Sequence, residues 1–442
     1  MEIEICTIGG FQEVGKNMTA IKVDDEVIII DMGIYLPAII NYEGEDWHTL
    51  SSAQMISLGS IPDDRVIEDW QKKVKAIILG HCHLDHIAGV PYLAAKYRAS
   101  IYGTPFTLEV LKTILDDEKI SLPNKLKPVN TGRIVNISKN ISIEFINVTH
   151  STLQTAMIAI HTPKGIIIYA NDFKFDNHPV LGKKPDYERL KELGKRGVLC
   201  LIVESLYADK DMKTPSEKVA RELLKDVLLG VDNKGKAVFV ATFASHLARI
   251  RSAIDFGKKM NRKVVMLGRS MGKYVSSAEH ANLIQFSKEA EIAGYKGQIG
   301  KILKHVNAHR EKYLVICTGS QGEPGSILDK LIKKQLPFTF KEGDHVIFSC
   351  KTIPSPLNIE NRANLEGVLK KDKVRLFLDI HQSGHAARED LRDFINMVKP
   401  QNIIPAHGEE HMEEALADLA EEMGFKENSQ IHIMKNGDKL RL

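Results

Sequence analysis

Six consecutive residues, His81-Cys82-His83-Leu84-Asp85-His86, place three imidazoles and a carboxylate directly after the apolar run at 76–79. Such a cluster cannot serve a hydrophobic core, because each buried polar group left without a partner costs about 1–3 kcal/mol. Imidazole nitrogen and carboxylate oxygen are donors that zinc favours, and a bend at a strand end can aim two of them at one ion and two at a neighbour. The competing reading is a polar surface turn that happens to be rich in histidine. The metal reading constrains the fold more, since it requires strand ends to converge on one sheet edge.

Two further residues stand where that convergence needs them. His150 follows an apolar segment at 141–148 and Asp172 follows another at 166–169. A lone His or Asp after a strand is usually a turn residue, but beside the first cluster both become ligand candidates.

The segments at 3–8, 19–23 and 27–30 alternate with turns at Gly9-Gly10 and end at Asp31-Met32-Gly33, a meander pattern. Residues 35–67 are irregular, with Pro37 and Pro62, and Trp47 and Trp70 mark this region; it reads as a long functional loop or a short-helix insertion. A helix is expected at 91–97. Between about 205 and 350 the texture becomes regular: strands at 237–241, 263–267, 313–317 and 345–349, with a helix at 246–260. That spacing suits a parallel, doubly wound sheet inserted into the first domain. Short strands at 375–379 and 402–405 and a helix near 409–423 then return. The expected division is 1–204, 205–352 and 353–442.

Composition narrows the function classes. With 442 residues, 43% hydrophobic, the chain can bury two sizeable cores. Lys and Arg total 60 against 57 Asp and Glu, so no bulk polycation exists and a nucleic-acid site must be a local groove. Aromatic residues at 6% argue against an extended base-stacking platform. Cys6, Cys82, Cys200, Cys317 and Cys350 are scattered without a Cys-x-x-Cys pair, against a disulfide framework or thiolate zinc site. Met1 leads straight into the first alternating segment, and no apolar run is long enough to cross a bilayer. A cytoplasmic protein without membrane partners is expected.

Asp31, His81-x-His83-x-Asp85-His86, His150 and Asp172 resemble, in order and spacing, the motifs of the metallo-β-lactamase superfamily. Glu204 in Ile202-Val203-Glu204-Ser205, His385 in Ser383-Gly384-His385-Ala386 and His407 in Pro405-Ala406-His407-Gly408-Glu409 resemble the marks of its β-CASP branch, whose members act on nucleic acids. The runs from Gly9-Gly10-Phe11-Gln12-Glu13 to Asn17 and from Thr318-Gly319-Ser320-Gln321 to Glu323 are similar to ribonuclease J, and the short ending to its archaeal form. Bacterial members carry a further C-terminal domain, whereas this sequence stops soon after the last expected helix; KH modules of the related archaeal endonucleases do not precede Met1. The implied fold is α/β: a metallo-β-lactamase αββα sandwich with an inserted β-CASP domain.

The resemblance implies two Zn2+ per subunit, with Mn2+ or Mg2+ as substitutes. His81, His83 and His150 would hold one ion, Asp85, His86 and His407 the other, with Asp172 bridging and Asp31 orienting ligands from behind. Asp85 and Asp172 would serve catalysis with them, and His385 would be the general acid, kept protonated by Glu204. A histidine at 407 favours RNA over DNA. The implied activity is 5′-to-3′ exonuclease digestion of single-stranded RNA from 5′-monophosphate ends, in RNA decay or processing, by a homodimer. Ser245, His246, Ser383, Gly384 and His385, with Ser320 and Gln321 shaping the region, are the candidates for the terminal phosphate, and helix N-caps are their plainer reading. Arg249, Arg251, Arg269 and Lys273 are candidates for the RNA path. Three alternatives stay open: an endoribonuclease of the same branch, a small-molecule hydrolase of the parent fold, and a catalytically silent RNA-binding protein.

Overall fold

The computed structural model describes residues 2–40, 42 and 47–442. The chain forms two compact units, one from residues 1–175, 183–214 and 384–442, the other from 176–182 and 215–383. No helix among the described residues is long and apolar enough to cross a membrane.

The first unit contains two sheets. One runs in the order Lys439–Arg441, Ile3–Gly9, Met18–Val23, Glu26–Ile30, Val74–Leu79, Ser100–Gly103, Leu126–Pro128. The other runs Asn402–Ala406, Val198–Glu204, Gly165–Ala170, Ala156–Thr162, Ser142–Asn147, Ile134–Asn136. Period-two alternation assigns the faces. Ile28, Ile30, Ala76 and Ile78 meet Ile158, Ile160, Ile167, Tyr169 and Ile202 in one core between the sheets. The opposite faces of the second sheet, Ile166, Ile168, Ala170, Leu201 and Val203, pack with Leu190, Leu391, Phe394 and Leu416 from three helices. Each fully buried aliphatic side chain contributes roughly 1.5–3 kcal/mol. This is the helix-sheet-sheet-helix sandwich, with helix Pro105–Glu118 against the first sheet.

Strand direction decides where the site lies. Glu26–Ile30 runs parallel to Val74–Leu79, and Gly165–Ala170, Val198–Glu204 and Asn402–Ala406 run parallel to one another. Their C-terminal ends therefore share an edge within each sheet.

The second unit holds a six-stranded, all-parallel sheet in the order Glu291–Ala293, Lys263–Leu267, Tyr313–Cys317, Val238–Ala241, His345–Phe348, Arg375–Phe377. The strands expected in this region are all present. The unit extends to residue 383, beyond the junction expected at 352/353, and the first unit runs on to 214 rather than 204. Helix Pro356–Lys371 has a weak apolar pattern, because it buries only Arg362, Leu365 and Leu369. Arg375–Phe377 joins the parallel sheet as an edge strand, and a short apolar run reads alike in either setting.

Within residues 35–67 the short-helix reading holds: Leu36–Ile40, Trp47–Thr49, Ser52–Ser57 and the start of Asp64–Lys73 are helical, while positions 41 and 43–46 lie outside the described residues. The 91–97 helix is two short turns, Val90–Leu93 and Ala94–Tyr97.

Candidate metal centre

Side chains at the ends of six strands of the first unit meet in one place. Asp31, His81, His150, Asp172 and His407 each lie just beyond a strand, and Glu204 is the last residue of its strand. Asp31, Asp172 and His407 have left-handed backbones, with φ of 60°, 59° and 49°. That conformation costs a residue with a β-carbon about 1–3 kcal/mol and clusters at functional sites. Here it folds three side chains back over the sheet edge.

Two ligand groups result. The donor atoms of His81, His83, His150 and Asp172 lie within 4.8 Å of one another, as do those of Asp85, His86, Asp172 and His407. Asp172 belongs to both. Its Oδ2 is 3.2 Å from His81 Nε2 and 3.4 Å from His150 Nε2, while its Oδ1 is 3.4 Å from His86 Nε2 and 3.3 Å from His407 Nε2. His83 turns its Nδ1 inward, 3.0 Å from His81 Nε2 and 3.1 Å from His150 Nε2.

The far side of three of the rings is held by the protein. His86 Nδ1 is 2.7 Å from Asp31 Oδ2, His150 Nδ1 is 2.8 Å from Gly384 O, and His407 Nδ1 is 3.0 Å from Asn17 Oδ1. Each such bond places the ring proton on Nδ1 and leaves Nε2 as a lone-pair donor. Asp31 is fully buried and also accepts from Gly80 N–H at 2.9 Å and Tyr169 hydroxyl at 2.9 Å. Gly384 must lack a side chain, because a β-carbon there would sit 2.9 Å from His150 Nδ1.

These residues fit divalent cations. Asp172 is buried, yet its Oδ1 accepts no hydrogen bond among the described residues, an arrangement that a cation satisfies. Burial alone would raise its carboxyl, but His407, His86, His385 and His81 outweigh that and hold it well below the usual carboxylate range. Burial pushes His81 down to about 4, with His86 adding to the effect, and pushes His150 well below its ordinary value. Both imidazoles are thereby kept neutral, the form that binds metal. For His86 burial acts the same way but is outweighed by Asp172, Asp85 and Asp31, so its value is raised. A cation bound there would displace its proton.

Beside the first group lies a second feature. His385 Nδ1 is 2.6 Å from Glu204 Oε2, and Glu204 Oε1 accepts from Phe173 N–H at 2.8 Å. The donor atoms of His385, Glu204 and Asp172 also fall within 4.8 Å of one another. Burial works against protonation of His385, but Glu204 and Asp172 overcome it and raise the imidazole to about 9.

The remaining candidates belong to the second unit. His246 is the residue before helix Leu247–Lys259, is 3% exposed and approaches Glu217 Oε2 at 3.6 Å; Ser245 precedes it, half-buried. Ser320 and Gln321 are buried, and the Gln321 side chain bonds Lys351 O and Ile353 N–H. Ser383 closes that unit. Arg249 is not on an RNA path: it is 0% exposed and clasps Glu217 at 2.6 and 2.8 Å. Arg251 is taken up by Asp255 and Glu289.

Asn17, Tyr169 and Asn171 were missed as site residues. Asn171 Nδ2 donates to the Tyr169 hydroxyl at 2.9 Å. The only sequence signal was the position of Asn17 at the end of the glycine-rich turn and of Asn171 beside Asp172, and neither names a partner.

The chain matches three family models: the metallo-beta-lactamase superfamily over residues 12–213, the ribonuclease J beta-CASP domain over 235–364, and the Zn-dependent metallo-hydrolase RNA specificity domain over 373–433. It is 44% identical to ribonuclease J of Methanocaldococcus jannaschii, covering 100% of this chain and 99% of that one. Ribonuclease J of Pyrococcus abyssi is also 44% identical, with 98% and 96% covered, and ribonuclease J 1 of Streptococcus pyogenes is 34% identical, with 100% and 74% covered. A crystal structure of a protein of unknown function from Enterococcus faecalis shares the fold, with TM-score 0.69 over 100% of both chains at 17% identity. Sequence kinship over the full length, together with the converged His/Asp cluster, places the chain in the ribonuclease J family.

Proposed function

We propose that this ribonuclease is a two-zinc 5′-to-3′ exonuclease that prefers RNA with a 5′-monophosphate. The observation that carries the proposal is the pair of ligand groups sharing Asp172, with the Glu204–His385 pair beside them. His81, His83, His150 and Asp172 would hold one ion and Asp85, His86, His407 and Asp172 the other. Donors that are all nitrogen and oxygen suit zinc, and also manganese. When bound, such a pair would lower the pKa of water to about 7 and offset charge on the scissile phosphate.

The chain's own residues supply the rest. Asp31, Asn17 and Gly384 keep three rings in the tautomer that faces Nε2 inward. His385 holds its proton on the side away from Glu204 and delivers it to the departing 3′-oxygen. Water gives up one proton to solvent as its oxygen bonds to phosphorus, the P–O3′ bond breaks with the His385 proton on O3′, and the 5′-phosphate stays on the following nucleotide. Within the second unit, Ser245, His246 and Ser383, with Ser320 and Gln321 shaping the loop, are proposed to serve the terminal phosphate. We also assign the protein to the cytoplasm, on the strength of its five unpaired, buried cysteines, and to a homodimeric state, on the strength of its family.

The test uses 5′-labelled RNA of one sequence carrying either a monophosphate or a triphosphate, with and without chelator. Release of label as mononucleotide, faster from the monophosphate and abolished by chelator, is expected. Label released in longer oligomers would establish an endonuclease instead. Binding without cleavage, in a protein free of metal, would make it a silent RNA-binding protein.

A further inference from the structure

The loop joining strands Ile3–Gly9 and Met18–Val23 is fastened on both sides. Three successive N–H groups are taken by side chains, one from the loop itself and two from remote parts of the chain: Gly10 by Glu13 Oε1 at 3.2 Å, Phe11 by Asn436 Oδ1 at 3.2 Å, and Gln12 by Glu413 Oε1 at 2.8 Å. Asn436 Nδ2 also donates to Glu13 Oε1 at 2.7 Å, closing the mesh. Glu413 lies on helix Glu410–Glu422 and is 0% exposed, and its Oε2 has no hydrogen-bond partner among the described residues.

On its other side the loop meets the second ligand group. Gly10 O accepts from the N–H of His407 at 2.6 Å. Asn17 holds two ligands proper to that group from behind: its Oδ1 is 3.0 Å from His407 Nδ1 and its Nδ2 donates to Asp85 O at 3.1 Å. The same nitrogen lies 3.0 Å from His86 Nε2, the atom that would face the ion. The turn is tight enough to require glycine at position 10, where φ is 85° and a β-carbon would lie 2.3 Å from Asn17 Oδ1. The bonds of the first group run elsewhere, His150 to Gly384 and His83 to Ser151.

A carboxyl buried for the sake of one backbone N–H is expensive. An apolar side chain would fill the same space at lower cost, so the hold on Gln12 is what the carboxyl contributes. We propose that Glu413 and Asn436 are positioning residues for the second ligand group, pinning the loop from Gly10 to Asn17 so that Asn17 sets Asp85 and His407 toward a second ion. The inference rests on the two-ion reading above.

Titration of Co2+ into the metal-free protein, followed by visible absorption, separates the two. The unaltered protein should show two binding steps. Asn436→Ala and Glu413→Leu should each weaken one step by about 10-fold, the scale on which residues behind metal ligands act, and leave the other unchanged. Glu413→Gln keeps an acceptor for the Gln12 N–H and should restore the weakened step. Asn436 is exposed, so its variant tests the idea even where Glu413→Leu does not fold. Equal weakening of both steps, or no change with Asn436→Ala, overturns the proposal. A single step in the unaltered protein sinks the two-ion reading, and this inference with it.

Discussion

Nδ1 of His385 lies 2.6 Å from the fully buried carboxylate of Glu204, so the ring presents Nε2 to the metal side and keeps a charged partner behind it. Removing that charge with Glu204→Gln destabilises the imidazolium. Less His385 is then protonated at a given pH, and the alkaline limb of the rate profile should move to lower pH, with turnover down about 100-fold. His385→Ala should lose turnover with metal content unchanged, as metal analysis beside single-turnover assays will show; loss of metal would recast it as a ligand.

Asp172 is the one side chain common to both ligand groups. Asp172→Asn should therefore release metal from both, measurable as stoichiometry after dialysis. Cleavage should vanish with it.

Asp31 accepts from His86, Tyr169 and Gly80 together. Asp31→Asn offers His86 Nδ1 a weaker acceptor and should reduce metal affinity about 10-fold to 100-fold. Tyr169→Phe removes one hydrogen bond of three and should have a smaller effect, about 1 kcal/mol in thermal unfolding.

Burial, with Glu410 and Glu13 adding and the Gln12 N–H opposing, raises the Glu413 carboxyl to about 8. Its folded value thus exceeds its unfolded one, the folded protein binds more protons between those values, and stability falls as pH rises from about 4.5 to about 8. Glu413→Gln cannot ionise. Urea unfolding at pH 5 and pH 8.5 should show a smaller loss across that window than in the unaltered protein.

In the second unit, Arg249 bonds Glu217 and also donates to Ser349 O at 2.8 Å and Ile380 O at 2.9 Å. Arg249→Met leaves the Glu217 carboxylate buried without its main partner and should cost about 3–5 kcal/mol. Adding Glu217→Leu should recover part of that in the same denaturant series.

The ligand candidates were legible because their chemistry is local: no core accepts His81 to His86 as a run, and a His or Asp directly after an apolar strand announces itself. The alternation of 237–349 likewise announces a parallel sheet. The end of that unit was not legible, since the residues of Arg375–Phe377 carry no mark of which sheet they will join.

What the amino-acid order by itself determined was the donor set, the strands that present it and the family it resembles. Tertiary structure alone decided that Asn17 meets His407, 390 residues away, that Asp31 meets His86, and that Arg249 is an interior ion pair and not a phosphate contact. The physical reason is that a hydrogen-bond partner depends on which strand ends the sheet order sets side by side and on left-handed turns at Asp31, Asp172 and His407. No stretch of neighbouring residues encodes either.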